Sequence, residues 1–464
     1  MKSISVGELV NIVGGKLLTG NTGISVTDVA IDSRVVEEGM LFVPIIGEKV
    51  DAHKFIPEVA KKAAAVFTDR ESVLDEVDDQ YKENCAIIKV DDTLRAFQVM
   101  GIYFRKHYDK KVVGVTGSVG KTTTREMITS ALGSSFAVYS TKKNYNSEIG
   151  TPITLAGMLD EPSDVAVLEL GISDFGEMDV LTEMTMPNIG VVTNIGVSHI
   201  EYFKTRDNIC IEKLKIAGRM DDTGVLFLNG EDKFLLAMRN NLSVKAFYYG
   251  LHENQDYHAE NIRIEDGRSC FTYVHDDTRV EMSLNLLGNH MILNAVAAMA
   301  VCEYMGLDLD KAAEALSQFK GQRQNVYKSE DGFTIIDDAY NASPDSMRAE
   351  LAVLAETPTT GRRIAVLGDM LELGPDSPKF HAEVGRAVLS NDVDILITVG
   401  NEMKNAHELV KSSDADDIEA VHFDENAGVA DYIKNIAKEG DTILFKASNG
   451  MRFKEIITEF KPAI

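Results

Sequence analysis

The sequence predicts an α/β protein of three domains, on three observations. The chain has 464 residues, a length that suggests about three domains. Short apolar runs closed by Gly or a polar residue alternate with segments of helical period in its middle and in its last third. Between these two series lies a more antiparallel stretch, with apolar/polar alternation over 269–274. The expected boundaries are 1–108 for an N-terminal α/β domain, 109–320 for a central domain with a parallel sheet, and 321–464 for a Rossmann-like, doubly wound C-terminal domain.

The first domain opens with a helix. Ser5 and Glu8 have the spacing of a capping box, Leu9, Val10 and Val13 follow, and Gly14-Gly15 stops it. A strand is expected over 40–46, ended by Gly47. A helix over 56–66 leads into a strand at 64–67, and a helix over 93–107 closes the domain. In the second domain, 112–116, 164–171 and 189–196 are apolar runs with polar or Gly ends, the mark of buried parallel strands. The stretch 243–287 is expected to be more antiparallel, and a helix of small residues is expected over 294–305. The third domain starts near Gly321 and carries strands at 333–338, 363–368, 394–400 and 441–446 with helices between them. Such sheets bind ligands at strand C-termini, where Asp337, Asp338, Asp369 and Lys446 stand.

Composition narrows the function classes. Net charge is −26, which argues against a duplex-wide basic face for nucleic acid and against binding to an anionic membrane. Anionic small molecules are still admissible, because local cations and N–H groups dominate within a Debye length of roughly 8 Å. The four cysteines are far apart and lack zinc spacing, so free thiols in a reducing compartment are expected. The N-terminus has no apolar leader, and no run approaches the ~18 apolar residues of a membrane span. A cytoplasmic protein without membrane insertion is expected.

The most informative stretch follows the strand at 112–116. It reads Gly117-Ser118-Val119-Gly120-Lys121-Thr122-Thr123 and runs into a helical pattern. Glycines let main-chain N–H groups curl around a phosphate, Lys121 adds positive charge, and the Thr122 hydroxyl suits Mg²⁺. Position 115 is Val where the general pattern has Gly, but strand, loop and helix are in register. A P-loop for ATP or GTP is predicted. Glu169 ends a neighbouring strand, where an acidic residue reaches the metal. His199 also follows a strand end. Alone it reads as a surface or core-edge residue; beside Glu169 and a P-loop it is a functional candidate. Lys213 falls within a helix that starts near Asp207, and pattern alone leaves it a solvated charge. Gly288-Asn289-His290 with Asn294 opens the small-residue helix, where amide and imidazole groups serve equally well as caps or as readers of a base edge. The run from Asp337 to Met347 contains Ser343 as an N-cap and Pro344 in the first turn. Capping does not account for Asp337, Asp338, Tyr340 and Asn341 together.

Taken together these motifs resemble the Mur ligase family, and its F-type in particular, over the whole chain. The residues carrying the likeness are 117–123, Asn144-Tyr145-Asn146, Glu169-Leu170-Gly171, 193–199, 338–347 and 365–374. The resemblance implies ATP-dependent amide formation in peptidoglycan synthesis. UDP-N-acetylmuramoyl-tripeptide and D-alanyl-D-alanine would be the partners, ATP and Mg²⁺ the cofactors, and a monomer the working form. Lys121 would hold the β/γ-phosphates, with Thr122 and Glu169 on one Mg²⁺. His199 and a carbamylated Lys213 would serve a second. His290 and Asn294 would face adenine. Arg323 and Asp338 would tie the third domain to the nucleotide. Asn144 and Asn146 would sit by the activated carboxylate, and Tyr340, Asn341 and Lys446 near the incoming amine. Ser33, Arg34 and His53 resemble the family's UDP-binding region. The chain departs from the family at Lys446-Ala447-Ser448-Asn449, where the usual form is Lys-Gly-Ser-Arg; a guanidinium is lost there. Two other readings follow from the residues: a related ligase taking another amine or acceptor, and a non-catalytic regulatory P-loop ATPase.

Overall fold

The computed structural model describes residues 1–47, 49–321, 325–413 and 417–461. It contains three larger sheets, each drawn from its own stretch of chain. In the first, Lys16–Thr19 pairs antiparallel with Ala86–Lys89, and Ala65–Thr68, Met40–Phe42 and Asp28–Ala30 follow in parallel. The opening helix is Val6–Val13, capped by the Ser5 hydroxyl, which accepts from Glu8 N, and ended by Gly14 at φ 64°. The reciprocal half of the expected capping box is replaced: the Glu8 carboxylate accepts from Tyr103 Oη at 2.6 Å instead. The helix expected over 56–66 is only Ile56–Val59, because the chain turns at 60–63 to deliver both faces of Ala65–Thr68 into the core.

The helix Thr93–Lys106, N-capped by Asp92, joins the first sheet to the second. Its last turn places the buried Arg105 guanidinium on the carbonyls of Thr185 (2.6 Å), Tyr108 (2.8 Å) and Met186 (2.9 Å). These bonds satisfy helix-end and turn carbonyls and pin the two units together.

The second sheet has nine strands. Its order is Thr278–Leu284, Arg268–His275, Tyr257–Glu265, Lys245–Gly250, Val225–Asn229, Ile189–Val192, Lys111–Thr116, Val165–Glu169 and Val138–Ser140. Pairing is parallel from Val138–Ser140 through to Tyr257–Glu265 and antiparallel beyond. The expected antiparallel stretch is therefore shorter. Lys245–Gly250 runs parallel to its neighbour Val225–Asn229 because the helix Lys233–Ala237 supplies a crossover between them. The small-residue helix begins earlier than expected, at Asn289, and runs to Tyr304. Its residues from Ala295 to Cys302 are all buried, packed between the sheet and the helix Lys121–Leu132. A helix enclosed on every side needs no polar face.

The third sheet has six strands, in the order Asn325–Lys328, Thr334–Asp337, Thr442–Lys446, Arg363–Gly368, Ile395–Val399 and Glu419–Phe423. All pairs but the first are parallel, as the doubly wound expectation requires. Thr442–Lys446 lies between Thr334–Asp337 and Arg363–Gly368, so Asp338 and Lys446 leave adjacent strands at one edge. The helix Pro344–Glu356 starts there, with Ser343 and Ser346 forming a reciprocal capping box. None of the described helices is long and apolar enough to cross a membrane.

Candidate active site

A cavity of about 470 Å³ lies where the C-terminal ends of the second and third sheets face each other. Its floor is the loop after Lys111–Thr116. Gly117 has φ 149°, and a Cβ there would meet Thr193 Oγ1 at 1.8 Å, so only glycine fits. Gly120 has φ 83° and starts the helix Lys121–Leu132, whose positive end faces the cavity. The neighbouring strand end braces this loop. Ser118 N donates to Asn194 O (3.0 Å), Val119 N donates to Asn194 Oδ1 (2.9 Å), and Thr193 Oγ1 donates to Val119 O (2.5 Å). Lys121 Nζ folds back on Gly117 O (2.9 Å) and Ser118 O (3.2 Å), which holds its positive charge over the loop.

Glu169 closes one side of the floor. It ends the adjacent parallel strand in register with Val115, and it is buried. Its Oε1 accepts from Thr122 Oγ1 (3.1 Å) and Asn146 Nδ2 (2.8 Å), while Arg125 Nε stands 3.5 Å from Oε2. A hydroxyl, an amide and a carboxylate thus share one corner, and Asn144 lines the same wall. Among the described residues no three His, Cys, Asp or Glu side chains converge into a preformed metal cluster.

His199 borders the cavity at φ 59°. Burial holds its imidazole below the ordinary histidine range; Glu372 opposes that, and Lys121 and Lys213 add to it. Lys213 sits near the end of the helix Arg206–Leu214, not on a solvated face: it is buried, and its ammonium has no hydrogen-bond partner among the described residues. Burial and then Lys121 push its ammonium well below the ordinary lysine value, against the pull of Glu177 and Glu212. Both residues are therefore within electrostatic reach of the P-loop lysine.

The roof comes from the third unit. Lys446 Nζ donates to Asp338 Oδ2 and to Asn341 O (3.3 Å). Burial raises the Asp338 carboxyl to about 6, with Lys446 resisting the shift. His290, in the first turn of Asn289–Tyr304, stands 3.6 Å from Glu350 and is pushed down to about 4 by burial, so it is a neutral imidazole near neutral pH. Asn294 Oδ1 accepts from Thr124 Oγ1 (3.0 Å), which ties this helix to the one that follows the P-loop. Tyr340 and Asn341 line the cavity with Asp338 and Lys446.

Residues 115–302 match the model of the Mur ligase middle domain, and 322–449 match the Mur ligase glutamate ligase domain. The chain belongs to the Mur ligase family. It is 37% identical over 435 residues to UDP-N-acetylmuramoyl-tripeptide–D-alanyl-D-alanine ligase of Bacillus subtilis, covering 93% of this chain and 92% of that one. It is 30% identical to the ligase of the same name from Escherichia coli, over 98% of both chains. Among solved structures it is similar to MurF from Acinetobacter baumannii, with a TM-score of 0.89, 27% identity and 99% of each chain covered. It is also similar to the MurF ligase of Thermotoga maritima in complex with ADP, with a TM-score of 0.81 and 26% identity over 93% of this chain and 96% of that one.

The fold of this Mur ligase brings most of the expected residues to one place. Ser118, Val119, Gly120, Lys121, Thr122, Thr123, Asn144, Asn146, Glu169, His199, His290, Asn294, Asp338, Tyr340, Asn341 and Lys446 all line the cavity. Five expected residues do not: Gly117, although it belongs to the loop of the floor, Lys213, and three residues of the first unit. Ser33 and Arg34 lie in a short 3₁₀ turn of the first unit, where Arg34 pairs with Asp32 through Nε (2.9 Å) and Nη2 (2.6 Å). His53 is buried between Asp51 (2.7 Å) and Asp69 (3.3 Å), with Arg70 bridging the same two carboxylates. Arg323 lies outside the described residues. The sequence reading missed Asn194 and Thr193 as the brace of the loop, although a polar pair closing an apolar strand was a visible signal. It also gave no role to Asp345 and Glu372, although both lie in stretches that carry the family likeness, nor to Glu350, which lies in the helix beyond them.

Proposed function

We propose that this chain uses ATP to join D-alanyl-D-alanine to UDP-N-acetylmuramoyl-tripeptide, through an acyl phosphate, in peptidoglycan precursor synthesis. One observation carries the reading: a P-loop from the second unit and the Asp338–Lys446–Asn341 edge of the third unit line a single cavity. The names of the full-length relatives in Bacillus subtilis and Escherichia coli support the choice of substrates. In this reading 1–108 holds the UDP-sugar, 109–320 the ATP and 321–464 the incoming amine. The described lining of the cavity comes from this one chain, which supports reading the working form as a cytoplasmic monomer.

The chemistry has two steps. The tripeptide carboxylate attacks the γ-phosphorus, giving an acyl phosphate and ADP. The dipeptide amine then attacks the acyl carbon, and the tetrahedral adduct expels phosphate to leave the amide. The first step brings two anions together. Lys121 and the loop N–H groups compensate that charge, and they are in place beforehand. Asn144 and Asn146 flank the carboxylate, Asn341 with Tyr340 places the amine, and Lys446 paired with Asp338 keeps the roof charged. His290 and Asn294 contact the base. The roof also shields the acyl phosphate from water.

The residues present fit Mg²⁺. This ion takes few protein ligands when substrate phosphates supply others, and the Thr122 hydroxyl beside the Glu169 carboxylate is such a pair. When bound it withdraws charge from the phosphate oxygens. His199 and Lys213 suit a second ion once Lys213 is carbamylated. Its depressed pKa favours the neutral amine, which adds to CO₂ and releases a proton to become an anion. ADP release measured with each substrate alone and with both tests the function. The reading requires turnover only with both present and a product whose mass equals their sum less water; ADP release unaffected by the dipeptide overturns it.

A further inference from the structure

Two non-glycine residues in left-handed conformations face each other across the junction of the second and third units. His199 has φ 59° and Glu372 has φ 62°. His199 Nδ1 is 2.6 Å from Glu372 Oε2, an ion-pair contact not aligned as a hydrogen bond, and the nitrogen is shut off from solvent with no other partner among the described residues. The ring as a whole is 31% exposed and lines the cavity, so its open edge carries Nε2. Left-handed backbone at such residues persists only where surrounding structure imposes it. Here the loop bearing Glu372 is held firmly. Met370 N donates to His381 Nε2 (2.9 Å), Leu371 N donates to Ser448 Oγ (3.0 Å), and Asp369 Oδ1 accepts from Met403 N (2.7 Å). Gly374 has φ 61°, and the Cα of Glu201 would lie 3.4 Å from a Cβ there, which brings the loop directly against the turn that follows His199.

A half-exposed ion pair contributes little to stability, so the pairing calls for another role. A carboxylate that accepts from one imidazole nitrogen selects the tautomer and leaves the other lone pair available to a cation. We propose that Glu372 is a positioning residue: reaching from the third unit, it fixes His199 with Nδ1–H toward its carboxylate and Nε2 toward the phosphate cavity. Seating of the third unit is thereby coupled to readiness of the second cation position. The inference rests on the reading of His199 as a cation ligand.

The test uses the full chain with ADP and Mn²⁺ as the probe, counting free Mn²⁺ by electron paramagnetic resonance. Glu372→Ala should weaken the second class of bound Mn²⁺ by about 10- to 100-fold and leave the first class unchanged. The maximal ligation rate should fall in step while KM for ATP stays within about twofold. Glu372→Gln, whose amide oxygen still accepts from Nδ1–H, should restore most of both. Histidine ¹⁵N shifts supply a readout independent of any cation: His199 should be Nδ1-protonated in the parent and shift toward the Nε2-protonated form in Glu372→Ala. If His199→Ala abolishes the second class while Glu372→Ala leaves it and the tautomer intact, the positioning role is overturned and the ligand reading stands. If His199→Ala leaves the second class intact, the ligand reading itself fails and the proposal with it.

Discussion

The floor of the cavity is held by hydrogen bonds between its loop, the adjacent strand end and the loop's own lysine, whereas its roof is held by charged side chains in a desolvated setting. On the floor, Ser118, Val119 and Lys121 are fixed by neighbours a few residues away or on the next strand. On the roof, Asp338, Lys446, His290 and Glu350 are brought together from distant parts of the chain, and burial shifts the ionisation of Asp338 and His290. The floor is ready before a ligand arrives. The roof depends on how the third unit is seated and on which groups carry protons. On the proposed function, this difference puts phosphate recognition on the floor and the conditions for turnover on the roof.

Four substitutions break or sharpen this contrast. The largest effect is expected from Lys121→Ala, which removes the only side-chain cation aimed into the phosphate loop by the described hydrogen bonds; the ligation rate should fall about 10³-fold, with a melting temperature close to the parent's. Steady-state kinetics with a thermal melt checks both. If Lys213 is carbamylated and holds the second cation as proposed, Lys213→Ala should lose about 10²-fold or more, and a short carboxylic acid added to the assay should restore part of the rate. No rescue at any acid concentration would count against a carbamate there. Asp338→Asn tests the roof through pH. The Asp338 carboxyl sits at about 6, above its ordinary 3.8, and the ionised form is the one that holds Lys446. The parent's rate should therefore rise as pH passes upward through about 6, and the variant, slower by about tenfold, should lack that rise. The smallest effect on the maximal rate is expected from His53→Ala. This residue lies outside both walls, packed between Asp51 and Asp69. It should cost about 1–3 kcal/mol of stability and raise KM for the uridine substrate, with ADP affinity unchanged by calorimetry.

Particular residues show how far the chain could be read without its fold. The P-loop was legible because strand, glycines, Lys121 and Thr122 are contiguous, and the local backbone alone makes a phosphate cradle. Glu169 was legible as a strand end, since parallel strands next to a P-loop bring their C-termini to the same edge. The helix over 56–66 was overcalled, because helical periodicity says nothing about where the chain must turn to enter a buried strand. The capping partner of Ser5 was misread for a similar reason: Glu8 found a stronger partner in Tyr103, 95 residues away. Lys213 carried no signal in its own helix. What singles it out is a buried ammonium with no hydrogen-bond partner among the described residues, and burial is a property of the packed chain.

The α/β class, the parallel strands of the middle and last thirds and the phosphate loop follow from the sequence by itself, since they depend on hydrophobic period and on residues adjacent in the chain. The tertiary structure decided which carboxylate faces which imidazole, that Lys213 is desolvated, that burial raises the Asp338 carboxyl to about 6 and that Glu372 meets His199. Each of these depends on distance and solvent exclusion between elements far apart in sequence, and no local pattern encodes either quantity.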